Sequence, residues 1–256
     1  MAERAAARLF EIRGLRKLFP DGTEALAGVD LDIEADECLV IAGSNGSGKT
    51  LLMRTLVGLT DSSEGSALFR GVPVAKDPGA VRRAVGLVFQ DADAQLVGET
   101  VEEDIAFGPR NLRLPQAEIT ARVAAALEAV GLSDKRKAPP RRLSGGEKRR
   151  LAIAGVLAMG CEAIIMDEPF ANLDWPGVEQ VLRAVSDLRS TGHAVVVLTH
   201  ELEKILAHAD RLAILDRGSI RDCGKPAEVL GRGVAAFGVR DPRQRYDSVE
   251  DCTWLE

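Results

Sequence analysis

Hydrophobic and polar positions along the chain fall into two kinds of strand pattern. Val29, Leu31 and Ile33 alternate with Asp30, Asp32 and Glu34, the period of two expected where one strand face meets a core and the other meets water. That predicts an antiparallel strand near the start of the chain. Further on the apolar runs are continuous: Cys38 to Ala42, Val85 to Phe89, Ala163 to Met166, Ala194 to Leu198 and Leu212 to Leu215. Such runs suit strands buried on both faces of a covered parallel sheet. Helical patterns lie between them. Ile119, Val123, Leu127 and Val130 recur at helical spacing after Pro115 and stop at Gly131.

Strand and helix in alternation predict an α/β fold with a mostly parallel sheet and a ligand site at strand carboxyl ends. The stretch from about 91 to 160 lacks buried-strand signals and reads as a helical insertion. The tail from Phe237 to Glu256, with isolated Tyr246 and Trp254, has no clear period and reads as a partly disordered terminus. The expected organisation is one domain over 8–236, the insertion of 91–160 within it, and a tail over 237–256.

Composition narrows the class. A chain of 256 residues that is 46% apolar can bury a sizeable core. Its longest apolar runs fall far short of the roughly 20 residues a membrane-spanning helix needs. Met1 to Arg8 holds no apolar stretch followed by a cleavage site, so the product is expected to stay in the cytosol. Cys38, Cys161, Cys223 and Cys252 are widely separated, which predicts reduced thiols and neither a zinc cluster nor a disulfide framework. A net charge of −6 disfavours a broad grip on nucleic acid. The exception is the basic cluster of Lys135, Arg136, Lys137, Arg141, Arg142, Lys148, Arg149 and Arg150, which lacks interleaved aromatics and reads as a solvated helix face.

The chemistry concentrates in a few short segments. Gly43-Ser44-Asn45-Gly46-Ser47-Gly48-Lys49-Thr50 follows the apolar Leu39-Val40-Ile41 and precedes Leu51-Leu52. Its glycines let successive amides turn inward on phosphate oxygens, and the helix beginning near Lys49 adds the positive end of its dipole. The pattern directs Lys49 to the β- and γ-phosphates and the Thr50 hydroxyl to Mg²⁺. Asp167 closes the run Ile164-Ile165-Met166, where a buried carboxylate needs a cation or hydrogen bonds, and Mg²⁺ answers that need. Glu168 suits a general base acting on the attacking water; the rival is a pair of carboxylates capping the turn before Pro169. An amide at Gln90, ending the run Val85 to Phe89, can reach both the metal sphere and that water. His200 follows Thr199 at the end of another buried run and reads as a γ-phosphate contact, against a satisfied core histidine. Ser144, Gly145 and Gly146 open a helix running to about Met159 and form a second anion site; taken alone they read as an ordinary helix cap.

The phosphate loop, then Leu143-Ser144-Gly145-Gly146-Glu147, then Ile164 to Glu168, in that order, resemble the ATPase subunits of ATP-binding-cassette (ABC) proteins. The resemblance implies a RecA-like P-loop core with an antiparallel N-terminal β-subdomain, and ATP with Mg²⁺ held by Thr50, Gln90 and Asp167. It implies a head-to-tail dimer in which Ser144 to Gly146 cover the ATP on the partner's phosphate loop; with both half-sites present in one chain, a homodimer is the first choice. Phe19 stands where the family usually has a tyrosine stacked on adenine, and keeps the π face; a plain core aromatic is the rival. Asp174, in Ala171-Asn172-Leu173-Asp174, matches the family's dimer-contact loop, with Asn172 where a small residue is commoner.

Val88 to Pro109, with its Val101-Glu102-Glu103-Asp104-Ile105-Ala106-Phe107-Gly108, and Leu143 to Gly155 look like the ATPase of bacterial energy-coupling-factor importers, a resemblance covering Leu9 to Leu230. It implies a peripheral ATP-hydrolysing motor at the cytoplasmic face of the bacterial plasma membrane. Its partners would be a polytopic membrane coupling subunit and a substrate-binding membrane subunit, with no nucleic acid. Cobalt or nickel is the first choice of cargo and biotin or another vitamin the second. A non-transport ABC ATPase is a further alternative. Asp91, Asp93, Glu99, Glu102, Glu103 and Asp104, with no lysine or arginine among them, read as an acidic docking face for arginine-bearing coupling helices. The rival is a solvated acidic helix, with docking left to apolar anchors such as Leu96, Val97 and Phe107.

Overall fold

The computed structural model describes residues 8–244. The chain opens with the long hairpin β1 (Arg8–Leu18) and β2 (Glu24–Glu34), then enters β3 (Cys38–Ala42) and α1 (Lys49–Leu56). Next come β4 (Glu64–Phe69), β5 (Val72–Pro73), α2 (Pro78–Ala84) and β6 (Val85–Val88). Three helices follow without a strand between them: α3 (Val101–Asn111), α4 (Gln116–Ala129) and α5 (Gly145–Met159). The chain then runs through β7 (Ala163–Asp167), α6 (Trp175–Ser190), β8 (Ala194–Thr199), α7 (Leu202–Ile205), β9 (Arg211–Asp216), β10 (Ser219–Gly224) and α8 (Pro226–Gly231).

Two sheets result. The larger has the order β10-β9-β3-β8-β7-β6, parallel throughout except for the antiparallel edge β10. The smaller, β2-β1-β4-β5, is antiparallel. In β2, Val29, Leu31 and Ile33 are buried and Asp30 is exposed, as the alternation predicts. The continuous apolar strands divide their side chains between two cores. Val40, Ile164, Met166, Val195 and Val197 face the helices α3 to α8. Leu39, Ile41, Ile165, Val196 and Leu198 face α1 and the antiparallel sheet. Burial on both faces is why these strands carry no polar alternation.

The helical arm departs from expectation in its charges. Much of the acidic stretch is not a free face, although Asp91 and Glu99 are exposed. Asp104 is buried and accepts from the amides of Val97 and Gly98 at 2.7 and 2.8 Å. Glu103 and Thr100 form a reciprocal capping box at the start of α3. Glu102 pairs with Arg136 and Lys137, and Asp93 with Lys148 at 2.6 Å. Helix α3 needs acceptors for its first amides and a negative group near its positive end, and these acids supply the latter. The basic cluster is a solvated face only in part: Lys137, Arg141 and Arg142 are exposed, and the others are engaged. Lys135 pairs with Glu147, Arg150 donates to Val130 O at 2.7 Å, and Arg149 is buried. The two clusters staple the arm together.

The tail also differs in part. Val239 is buried in the helical-side core, and Arg243 donates to Leu230 O at 2.9 Å. The start of the tail is therefore anchored through an apolar side chain and a paired arginine; Tyr246, Cys252 and Trp254 lie outside the described residues. Cys38 and Cys161 are free and buried, and burial pushes their thiols up to about 12 and about 11, which makes them poor nucleophiles. Among the described residues no helix is long and apolar enough to cross a membrane.

Candidate functional site

Four neighbouring strands of the large sheet, β3, β8, β7 and β6, end side by side, and each delivers one piece of the site. The phosphate loop leaves β3, Thr199 and His200 end β8, Asp167 and Glu168 end β7, and Gln90 follows β6. A cleft of about 410 Å³ lies among them, lined by Asn45 to Leu51, Gln90, Asp167 and Glu168. That volume suits a nucleotide's phosphates and metal. Glycine is obligatory at two points of the loop. A Cβ on Gly43 would sit 2.2 Å from Leu215 O, and Gly48 has φ +107°, where an L side chain is strained.

Lys49 is buried, and its ammonium donates to the loop's own carbonyls, Gly43 O at 2.6 Å and Ser44 O at 3.1 Å. Burial lowers its pKa against the opposing pull of Glu168 and Asp167. Thr50 Oγ1 donates to Asp167 Oδ2 at 2.6 Å, so the two residues expected to share a metal are already in contact. Burial raises the Asp167 pKa, with the Thr50 hydrogen bond opposing it. Asp167 Oδ1 and Ser47 Oγ are buried with no hydrogen-bond partner among the described residues. A buried orphan oxygen is costly unless something else satisfies it. One carboxylate, a hydroxyl and a nearby amide fit Mg²⁺, which takes few protein oxygens and fills its octahedron with phosphate and water.

Every polar atom of Glu168 is engaged. Its amide donates to Leu198 O at 2.8 Å and its carbonyl accepts from Arg149 Nη1 at 2.8 Å. Oε2 accepts from the Thr199 hydroxyl at 2.9 Å, and Oε1 lies 2.8 Å from His200 Nδ1 and 3.7 Å from Lys49 Nζ. The residue has φ +46°, a conformation costing about 1–3 kcal/mol for a non-glycine. Strain of that kind persists only where the surroundings hold it.

Other expected residues lie apart from this cleft. Ser144 caps α5, accepting from Glu147 N at 3.3 Å while the Glu147 carboxylate accepts from Ser144 N at 2.9 Å. The helix-cap reading is therefore realised in the chain by itself, and Ser144, Gly145 and Gly146 do not line the cleft. Asp174 caps α6 through Gly177 N at 3.0 Å, and Asn172 has φ +59°, which asparagine tolerates better than most residues. Phe19 is 38% exposed with Lys17 over its ring at 5.7 Å, so it is no core aromatic. The motif reading passed over Thr199 and Arg149. Both are buried polar residues in otherwise apolar or basic runs, a signal that only burial reveals.

A Gly-rich loop between a central parallel strand and a helix, with a carboxylate at the end of the next strand but one, defines a P-loop nucleotide hydrolase. The family described as ABC transporter matches residues 26–171. The energy-coupling factor transporter ATP-binding protein EcfA of Methanocaldococcus jannaschii is 39% identical over 240 residues, covering 92% of this chain and 86% of that protein. The cobalt import ATP-binding protein CbiO of Rhodobacter capsulatus is 44% identical over 229 residues, 88% of this chain and 82% of that protein. The solved structure of cbiO1 from Clostridium perfringens, part of the ABC transporter complex cbiONQ, superposes with a TM-score of 0.81 at 33% identity, covering 90% of this chain and 95% of that one. The chain belongs to the ABC transporter family and is an ATP-binding, ATP-hydrolysing transport subunit of it.

Proposed function

We propose that this chain is the motor of an energy-coupling-factor-type importer for cobalt or nickel ions, seated as a peripheral subunit on the cytoplasmic face of the membrane. The observation that carries the chemical part is the orphaned Asp167 Oδ1 beside Thr50, next to a Glu168 held from β8, α5 and Lys49. The cargo rests on the likeness to cobalt-import and energy-coupling-factor ATPases.

ATP enters with its phosphates in the loop of Gly43 to Thr50, and Lys49 exchanges the carbonyls of Gly43 and Ser44 for β- and γ-phosphate oxygens. Mg²⁺ bound through Thr50, Asp167 and Gln90 would offset the charge growing on the phosphate oxygens. Glu168 accepts the proton of the attacking water, and Thr199 and His200 keep its carboxylate aimed. With ATP bound, His200, 48% exposed on its side chain, can release Glu168 and turn toward the γ-phosphate, leaving Thr199 to aim the carboxylate. Ser144, Gly145 and Gly146 of a second copy complete the site, since in one chain these residues do not line the cleft. Phe19 takes the adenine and Asp174 meets the second copy. The helices over 91–160 act as an inserted arm within a domain spanning 8–236.

Docking to the membrane subunit falls to apolar contact. A groove of about 320 Å³ lies between arm and core, lined by Leu59, Leu87, Phe89, Val97, Phe107 and Met159 among others. Val97 and Phe107, 61% and 51% exposed, meet Leu59 at this one groove, a contiguous apolar patch of the kind a partner covers. The test is purification with the membrane subunits and uptake of cobalt, nickel or biotin by vesicles loaded with ATP. Uptake of cobalt or nickel alone supports the reading. Uptake of biotin moves the cargo, and failure to copurify removes transport. Val97→Asp with Phe107→Ser should release the chain from the membrane subunit while its ATP affinity stays.

A further inference from the structure

Arg149 is a buried guanidinium behind the strand ends that carry the chemistry. It is 4% exposed and stands in the first turns of α5, on the helix that Ser144 caps. Its Nη1 donates to Glu168 O at 2.8 Å and its Nη2 to Gln90 O at 2.6 Å. A desolvated cation is expensive, and an apolar side chain would fill the same space more cheaply, so the position asks for a reason.

The two carbonyls supply one. Gln90 follows β6 and Glu168 follows β7, adjacent strands of the large sheet. At Glu168 the backbone is left-handed, with φ +46°. Its amide is held by Leu198 O on β8, which orients the peptide before it. The peptide after it is oriented by its carbonyl, which accepts from Arg149 and, at 3.2 Å, from the amide of Ala171. Turning φ back to the ordinary negative range, with the preceding peptide held, would swing the carbonyl off the guanidinium and redirect the Cα–Cβ bond. The ties on the carboxylate, Thr199 and His200, both come from β8. Arg149 is the tie that comes from the helical arm. A planar guanidinium reaches two carbonyls from one rigid fork, which an ammonium on a flexible stem does not reproduce.

We infer that Arg149 is a positioning residue for ATP hydrolysis: it locks Glu168 in its left-handed conformation and holds Gln90 beside it, so base and amide are presented together only while α5 is seated. The inference rests on Glu168 being the general base. It links the arm, whose helix end serves the second copy's ATP, to the base that serves the chain's own.

The test uses the full-length purified chain, with steady-state hydrolysis of Mg²⁺-ATP and binding of a fluorescent ATP analogue measured on R149M, R149K and E168Q. A misplaced base costs about 10²-fold, so R149M should lose roughly that in kcat while its nucleotide Kd stays at the wild-type value. R149K keeps the charge without the fork and should recover only a minor part of the rate. Wild-type kcat in R149M overturns the inference. Where R149M does not fold, R149K decides: unchanged Kd with low kcat supports positioning, and wild-type kcat overturns it. If neither variant binds nucleotide, Arg149 is structural and the inference falls. E168Q separates the two readings. An active E168Q removes the base assignment itself, whereas an inactive E168Q beside an active R149M removes only the role of Arg149.

Discussion

In the phosphate cleft, Ser47, Lys49 and Asp167 are buried with bonding capacity to spare, whereas on the arm Glu102, Glu103, Asp104, Lys135 and Arg136 have spent theirs on partners within the arm. The phosphate cleft leaves Asp167 Oδ1 and Ser47 Oγ without partners and keeps Lys49 on carbonyls it can exchange. The arm leaves little to exchange: its acids cap α3, hold the amides of Val97 and Gly98, and pair with the loop before α5. Both regions are dense in charge. The one with unmet valences is built to receive a ligand, and the one with met valences is built to keep its shape.

Glu168→Gln is the hardest test of the cleft. Turnover should fall by about 10²–10⁴ while ATP affinity persists, because the amide keeps the shape and cannot take a proton. Steady-state phosphate release and analogue binding read the two separately, and near-normal release would end the assignment.

The arm offers a smaller and different effect. Asp104→Ala strands the amides of Val97 and Gly98 and should cost about 1–3 kcal/mol in urea unfolding. Asp104→Asn keeps an acceptor and should cost little. Equal losses in the two would mean that the charge, not the acceptor, matters there.

Asp167 runs the other way. Its folded pKa is raised above the ordinary 3.8 chiefly by burial, so the nucleotide-free chain loses stability from this group as pH rises through that folded value. Asp167→Asn should therefore raise the Tm of the nucleotide-free chain at pH 7 by roughly 2–4 °C per kcal/mol relieved and abolish Mg²⁺-dependent binding. The Tm gain should vanish in acid. A fall in Tm at pH 7 would mean that attraction to Lys49 outweighs the burial cost.

Glu102→Ala is the mildest change. Lys137 and then Arg136 hold the Glu102 carboxyl below its ordinary 4.5, so its contribution is present above that value and fades as pH falls through the lowered one. The pairs are near the surface, so the loss should stay under about 1 kcal/mol and shrink with salt. A larger, salt-insensitive loss would place these pairs with the buried group instead.

Local patterns carried much of this protein. Alternation named β2 as half-buried, and continuous apolar runs named five strands of the large sheet. The phosphate loop, Asp167 with Glu168, and Gln90 were legible because each ends an apolar run, the place where a parallel sheet puts its ligands. A charge run, by contrast, reads the same whether its side chains meet water or each other. Only the approach of the loop before α5 to α3 made Lys137 and Arg136 partners of Glu102, and only burial separated Arg149 from the basic residues beside it.

The amino-acid order by itself determined which strands are covered on both faces, where the glycines must curl, and which side chains arrive at the strand ends, because each depends on near neighbours in the chain. Tertiary structure alone decided that Glu168 is held left-handed by β8 and α5, that Asp104 turns inward, and that Val97 and Phe107 stay outside. Those outcomes depend on groups far apart in sequence meeting in space, and on which of them finds a partner before water does.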